Sequence, residues 1–393
     1  MTRHVEQPVS PHGDGFFLPA LRRSKLPTRA PGRTLEARFD RIRDQAYSIG
    51  LLVPTSGLEG IWGPSTIACA RLAVVEINRS GGLLGKEVRL LVIDAADEAA
   101  ELTEQTDQAL DDGEIDAIVG MHISSVRQRL VSRVGGRVPY VYTPLYEGGE
   151  CSPGVYAIGE TTSEQLRPAI HALTKRFRLK RWALLGNDYV WPRISHALAK
   201  GYIRETGGEV VDDLYLPLGV SDFGLVLERL ARLKVDALLL SLIGQDAIAF
   251  NREFGSAGSA MRGMIRLSCA IEENGLLAIG TDNTEGLYAT AGYFASVPTD
   301  ANMAFKERYY SLLGERAPTL NTLGQSTYEG VQFLAALIER SHLQRRPWLA
   351  ADLGKPIPYR SARETVYLDN RRKVSPMYLA RAEGHLLQVI ERL

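Results

Sequence analysis

The side chains best suited to chemistry here are aromatic and hydroxyl groups clustered where apolar runs end. Tyr47–Val53 runs into Pro54-Thr55-Ser56-Gly57, and Asp116–Gly120 runs into Met121-His122-Ile123-Ser124-Ser125. A further run ends Tyr140-Val141-Tyr142-Thr143-Pro144-Leu145-Tyr146-Glu147-Gly148, and Arg181–Asn187 leads into Asp188-Tyr189-Val190-Trp191-Pro192-Arg193. Glu272 follows a later run, Met264–Ser268. Such a set recognises a molecule and does not react with it. Aromatic walls shield apolar faces, while a few hydroxyl and backbone groups take hydrogen bonds. Leaving one buried polar group unpaired costs ~1–3 kcal/mol, which is enough to select among small, mostly neutral ligands.

Each of these residues also has a plainer use. Ser124 or Ser125 can cap a helix, and Asp188 can cap the helix that begins near Trp191. His122 can sit satisfied in a core or loop, and Tyr146 and Glu147 can shape a turn. Tyr189 and Trp191 can pack between two halves. Glu272 and Glu273 can open a helix, where negative charge is favoured.

Reactive constellations are missing from the sequence. There is no G-x-x-x-x-G-K-[ST], H-E-x-x-H, G-x-S-x-G or C-x-x-C. Gly81-Gly82-Leu83-Leu84-Gly85 follows a helix and does not open one, so it reads as a helix stop and not a phosphate cradle. Cys69, Cys151 and Cys269 are scattered; they read as free thiols with no metal-ligand spacing, and a bridge between Cys151 and Cys269 stays open. The chain predicts neither an enzyme nor a metal or cofactor binder.

The formal net charge is zero, with 46 basic and 46 acidic residues, so no global attraction draws the chain to nucleic acid or to an acidic membrane. Met1–Gly15 is polar, and Phe16–Leu21 is too short and proline-broken for a secretory signal. No segment approaches the ~20 apolar residues of a membrane span. These features predict a cytosolic protein, unless an upstream start encodes a leader.

The elements that position these residues alternate. From Tyr47 the pattern is strand and amphipathic helix in turn: strands at Tyr47–Val53, Glu87–Asp94, Asp116–Gly120 and Pro139–Thr143, helices at Pro64–Arg79, Glu98–Asp112 and Ser124–Val134. The series restarts at Thr162 and runs to Ala291. Two α/β units follow, each a parallel sheet flanked by helices, with ligand-binding loops at the carboxyl ends of the strands. Thr365–Asp369 and Met377–Ala382 are expected to pair as a hairpin around Asn370–Lys373, followed by a strand at Leu386–Ile390. The predicted division is a mobile basic extension over 1–46, helical from Leu35 to Ala46; a first lobe over 47–160 plus 293–352; and a second over 161–292 plus 353–393. Several crossings between lobes make a hinge.

Some of these segments resemble a known family. Ile49–Gly57, Val75-Glu76-Ile77-Asn78 and Gly81–Gly85 look like the opening of the type I periplasmic-binding-protein fold. Tyr146-Glu147-Gly148 and Gly186–Arg193 resemble the branch that holds urea-binding proteins of ABC transporters and AmiC-like amide sensors. The resemblance implies a two-lobed receptor with a ligand between the lobes and Ser124, Tyr142, Tyr189 and Trp191 as contacts, joined by Thr55 and Ser56. The amide sensor has tyrosine where His122 stands. The resemblance further implies a small amide or urea as ligand, an RNA-binding antiterminator or other regulatory protein as partner, and a homo-oligomer. The alternative is the binding component of an ABC importer for urea, short amides or amino acids. For an amino acid, the Ser124-Ser125 helix start would take the carboxylate and Glu272 the ammonium.

Overall fold

Short, wholly buried apolar runs fix the two sheets. Every residue of β3 (Ala117–Gly120) and of β8 (Ala237–Ser241) is buried. A strand covered on both faces has no solvent side and so reads as continuous hydrophobics, not as an alternation. The computed structural model describes residues 46–343 apart from 97 and 98, then 357, 359, 361–367 and 373–393. The extension expected over 1–46 lies outside the described residues except for Ala46, which opens a strand.

The first sheet has the order β2-β1-β3-β4-β5. It is built from β1 (Ala46–Val53), β2 (Glu87–Asp94), β3, β4 (Tyr140–Tyr142) and β5 (Val155–Ala157), all parallel. The second has the order β14-β13-β10-β9-β8-β6-β7. Its parallel part is β6 (Arg181–Asn187), β7 (Glu209–Leu216), β8, β9 (Ile265–Ser268) and β10 (Leu287–Ala291). β13 (Tyr378–Glu383) and β14 (Leu386–Arg392) add an antiparallel edge.

The helices follow from local sequence. α1 (Gly63–Arg79) carries Pro64 in its first turn, where a missing N–H costs nothing. It stops at Ser80-Gly81-Gly82. Gly82 has φ +78°, and a Cβ there would lie 2.0 Å from the Lys86 carbonyl, so only glycine turns the chain into β2. α2 (Ala99–Asp111) follows β2, and α3 (Ser124–Val134) follows β3 and ends on left-handed Gly135. α4 (Thr162–Phe177) begins with a complete capping box between Thr161 and Glu164. In the second lobe come α5 (Val190–Glu205), α6 (Gly224–Leu233), α7 (Gly244–Ser256) and α8 (Glu273–Ile279). α9 (Asp300–Leu313) and α10 (Thr322–Leu343) return to the first lobe and pack on α1. α10 is buried nearly all round, as a helix in the middle of a lobe must be.

The chain passes between the lobes after β5, after β10 and after α10. One buried cluster ties these crossings. Arg363 contacts Glu160 on the first crossing and lies 3.3 Å from Glu329 on α10. Its Nη2 donates to Ser326 Oγ at 3.0 Å. Glu329 also accepts from the Ser361 hydroxyl at 2.8 Å and the Ala362 N–H at 3.1 Å. Gly292 on the second crossing packs against both Glu160 and Arg363.

Some expectations need correction. β13 pairs with β14 across Gly384, where φ is +61°, and not with the strand before it. The preceding strands, β11 (Val366–Tyr367) and β12 (Lys373–Val374), form a separate ribbon. A glycine able to take positive φ closes β13 and β14 as a two-residue hairpin, β10 takes the other edge of β13, and β11 is left to pair with β12; 368–372 lie outside the described residues. β5 was not expected, because three residues inside a Ser/Gly/Pro-rich stretch carry too little pattern. Cys151 is exposed, Cys269 is buried, and both are free.

Candidate functional site

The carboxyl ends of both sheets face one another across a cavity of about 30 Å³. That is room for two or three water-sized groups. His122, Ile123, Ser124 and Tyr142 line it from the ends of β3 and β4, and Trp62 reaches it from a turn after β1. Tyr189 and Trp191 enter from the start of α5, and Ile243, Ala270 and Glu272 from the ends of β8 and β9. Leu323 of α10 closes the hinge side. Six of the ten residues singled out in the sequence thus come together: His122, Ser124, Tyr142, Tyr189, Trp191 and Glu272.

Four do not line the cavity. The Thr55 N–H and the Ser56 hydroxyl both bond the Asp94 carboxylate at 2.8 Å, at the neighbouring strand end. Asp188 is exposed and pairs with Arg193 at 2.6 Å. Tyr146 packs its ring behind Tyr142, with centroids 6.2 Å apart. Trp62, Ile243, Ala270 and Leu323 escaped the sequence reading. Ile243 and Ala270 sit just past strand ends, where the same carboxyl-end rule would have found them. Trp62 carries no such signal.

The first-lobe wall is held from behind. Arg127 of α3 is buried and donates to Glu147 at 2.5 Å, to Glu150 at 3.0 Å and to the Ser124 hydroxyl at 3.5 Å. Its guanidinium also lies over the rings of Tyr142 and Tyr146, 4.9 and 5.2 Å from their centroids. The Tyr142 hydroxyl donates to the His122 carbonyl at 2.7 Å, and the Ser124 and Arg127 side chains bond its oxygen in turn. His122 is sealed in: Nδ1 faces the Ile123 carbonyl at 3.2 Å and Nε2 the Tyr140 hydroxyl at 2.9 Å. The carbonyl places the ring proton on Nδ1. Burial lowers the imidazole pKa to about 3, the nearby Arg127 charge acts the same way, and the ring is neutral.

Both walls bring buried polar atoms to the cavity. The Trp62 and Trp191 indole nitrogens and Glu272 Oε1 are buried and make no hydrogen bond of normal geometry. Burial raises the Glu272 pKa to about 8; the Glu272 backbone N–H opposes this, adjacent Glu273 adds to it, and the Trp62 indole also opposes it. Burial thus favours the protonated carboxylic acid at Glu272. Glu273 points elsewhere, accepting from the Ala295 N–H at 2.6 Å. α3 begins at Ser124 with no side-chain cap, so its first N–H groups are free to meet an acceptor.

A larger crevice of about 930 Å³ lies between α1, α9 and α10. Glu76 there is already held by Arg308 at 2.7 Å, by the Tyr328 hydroxyl at 2.7 Å and by Gln332 at 3.0 Å. The smaller cavity, by contrast, gathers buried polar groups from the ends of both sheets.

Residues 46–385 match the family model described as periplasmic binding protein. The chain belongs to that family. This binding protein is 26% identical over 304 residues to the Leu/Ile/Val-binding protein BraC3 of Rhizobium johnstonii, covering 75% of this chain and 79% of that one. A Leu/Ile/Val-binding protein homologue of Brucella melitensis is 22% identical over 299 residues, with the same coverage. Among solved structures, a solute-binding protein of an ABC transporter from Rhodopseudomonas palustris HaA2, in complex with p-hydroxybenzoic acid, superimposes with a TM-score of 0.80. It is 19% identical over 88% of this chain and 97% of its own. The branched-chain amino acid transporter substrate-binding protein LivJ of Streptococcus pneumoniae, in complex with isoleucine, gives 0.74 at 18% identity, over 88% and 100%. The structural likenesses establish the two-lobed fold of this binding protein, and the comparisons place it in the family without singling out the amide and urea branch. Among the described residues, no helix is long and apolar enough to cross a membrane.

Proposed function

We propose that this chain is the solute-binding component of an ABC-type importer and that its guest is a small uncharged amide or urea. The observation that carries the reading is the convergence of the buried Trp62, Trp191 and Glu272 polar atoms with Ser124 and Tyr142 on one cavity between the lobes. Every group that touches it is uncharged at neutral pH. A carbonyl oxygen can take the α3 N–H groups or an indole, and an NH₂ can meet Glu272. The small volume suits a guest of a few heavy atoms. Structural neighbours named as transporter components weigh the importer role above the regulator expected from the sequence. On this reading the first sheet with α9 and α10 forms one lobe, the second sheet the other, and the partner is a membrane permease.

A branched-chain amino acid is the second reading, favoured by the names of the curated relatives. Its ammonium would need Glu272 ionised. The two readings therefore differ in pH dependence. An amide NH₂ can donate to either form of Glu272, so amide binding has no requirement for its ionisation. Amino-acid binding strengthens as pH rises through about 8 and Glu272 loses its proton. Calorimetry with acetamide, propionamide, urea, leucine and isoleucine at pH 6.5 and 9 separates them. A panel in which none of these binds, or shifts the melting temperature, overturns the receptor assignment.

A further inference from the structure

Three cross-lobe contacts converge on one short turn of the first lobe, Gly57 to Trp62. The Leu58 carbonyl accepts from the Gln245 N–H, in the first turn of α7, at 3.1 Å. The Ile61 carbonyl accepts from Asn274 Nδ2 on α8 at 2.8 Å. Asn274 is itself held by Asn321 Nδ2 at 2.9 Å, just before α10. The turn ends in Trp62, whose indole lies beside Glu272 in the cavity. Gly244 allows this approach: its φ is +51°, and a Cβ there would lie 2.3 Å from the Leu58 carbonyl oxygen. That oxygen belongs to the other lobe, so the clash exists only when the lobes meet.

We infer that the Gly57–Trp62 turn is a cross-cleft latch that docks on the N-terminal ends of α7 and α8, and that Gly244 and Asn274 are the positioning residues that set Trp62 against Glu272. The inference rests on the receptor reading for its purpose, and on the contacts alone for its existence. The Leu58 carbonyl meets a first-turn helix N–H and the Ile61 carbonyl a side-chain amide, partners that open water replaces readily. The latch thus stabilises the closed arrangement without making the cleft irreversible, and it completes the cavity with a side chain from the far lobe.

Crosslinking tests this without any ligand. Leu58→Cys and Gln245→Cys are combined with Cys151→Ser, which removes the exposed thiol, and treated with a short bifunctional maleimide. Rapid intramolecular crosslinking is expected. Adding Gly244→Ala should slow it at least tenfold, because the closed population that presents both thiols falls. Gly258→Ala is the control for backbone strain: φ is +60° there, but nothing lies within 4 Å of an added Cβ. It should leave the rate unchanged. Asn274→Ala should slow the reaction several-fold and covers the case in which Gly244→Ala fails to fold. Absence of crosslinking in the parent pair, or equal rates in the Gly244→Ala, Asn274→Ala and Gly258→Ala backgrounds, overturns the latch. Failure of the ligand panel leaves this result standing, and failure here leaves ligand binding untouched.

Discussion

Glu272 shows how one position reports on the whole cavity. A carboxyl held protonated to about pH 8 in the folded chain titrates near 4.5 when unfolded. Between these values the unfolded state has lost a proton that the native state keeps, so stability falls as pH rises, by up to about 1.4 kcal/mol per unit. Below 4.5 both states are protonated and nothing is lost. Glu272→Gln keeps the shape and removes the titration. The variant should gain on the parent in melting temperature from pH 5 to pH 8, and melts at several pH values would show a gap that widens and then levels. A constant gap would mean that Glu272 is ionised in the fold. The residues legible in advance were those fixed by strand-end position: His122, Ser124, Tyr142, Tyr189 and Trp191. Thr55 and Ser56 obey the same rule but fail it, because Asp94 on the neighbouring strand claims both. A competitor far away in sequence leaves no local trace.

At the scale of elements, α3 was readable to the residue, since Gly120 before it and Gly135 after it bracket an amphipathic run. The C-terminal strands were readable as strands but not in their pairing, because turn geometry at Gly384 decided the register. The hinge cluster was not readable at all. Glu160, Glu329 and Arg363 look like ordinary charges in sequence, yet each is almost fully buried. Burying a charge is costly unless it is paired, and removing one partner from a buried pair destabilises by ~3–5 kcal/mol. Arg363→Met strands Glu160 and Glu329 in the core. It should lower stability by that amount in a denaturant titration, while the double change with Glu160→Gln recovers part of the loss. A fully additive double variant would separate the two residues energetically.

Taken as a whole, the molecule has two lobes but no clean break in its core. One cluster of buried side chains runs from Leu51, Val119 and Leu334 of the first lobe into Trp182, Leu239 and Leu267 of the second. The outer face of the second sheet has a cluster of its own, around Leu240, Phe250 and Phe223. A shared interior and a triple crossing couple the lobes, so the chain should unfold in a single transition with calorimetric and van't Hoff enthalpies in agreement. Two resolved transitions in scanning calorimetry would show instead that the lobes melt independently.

The order of the crossings also shapes how the chain is born. α10 fills the centre of the first lobe, yet the ribosome releases it only after β6 to β10 and their helices have emerged. The first lobe therefore waits, hollow, while the later unit already has its parallel strands in hand. Nascent chains arrested before Thr322 should recruit holdase chaperones at the face that α10 will cover.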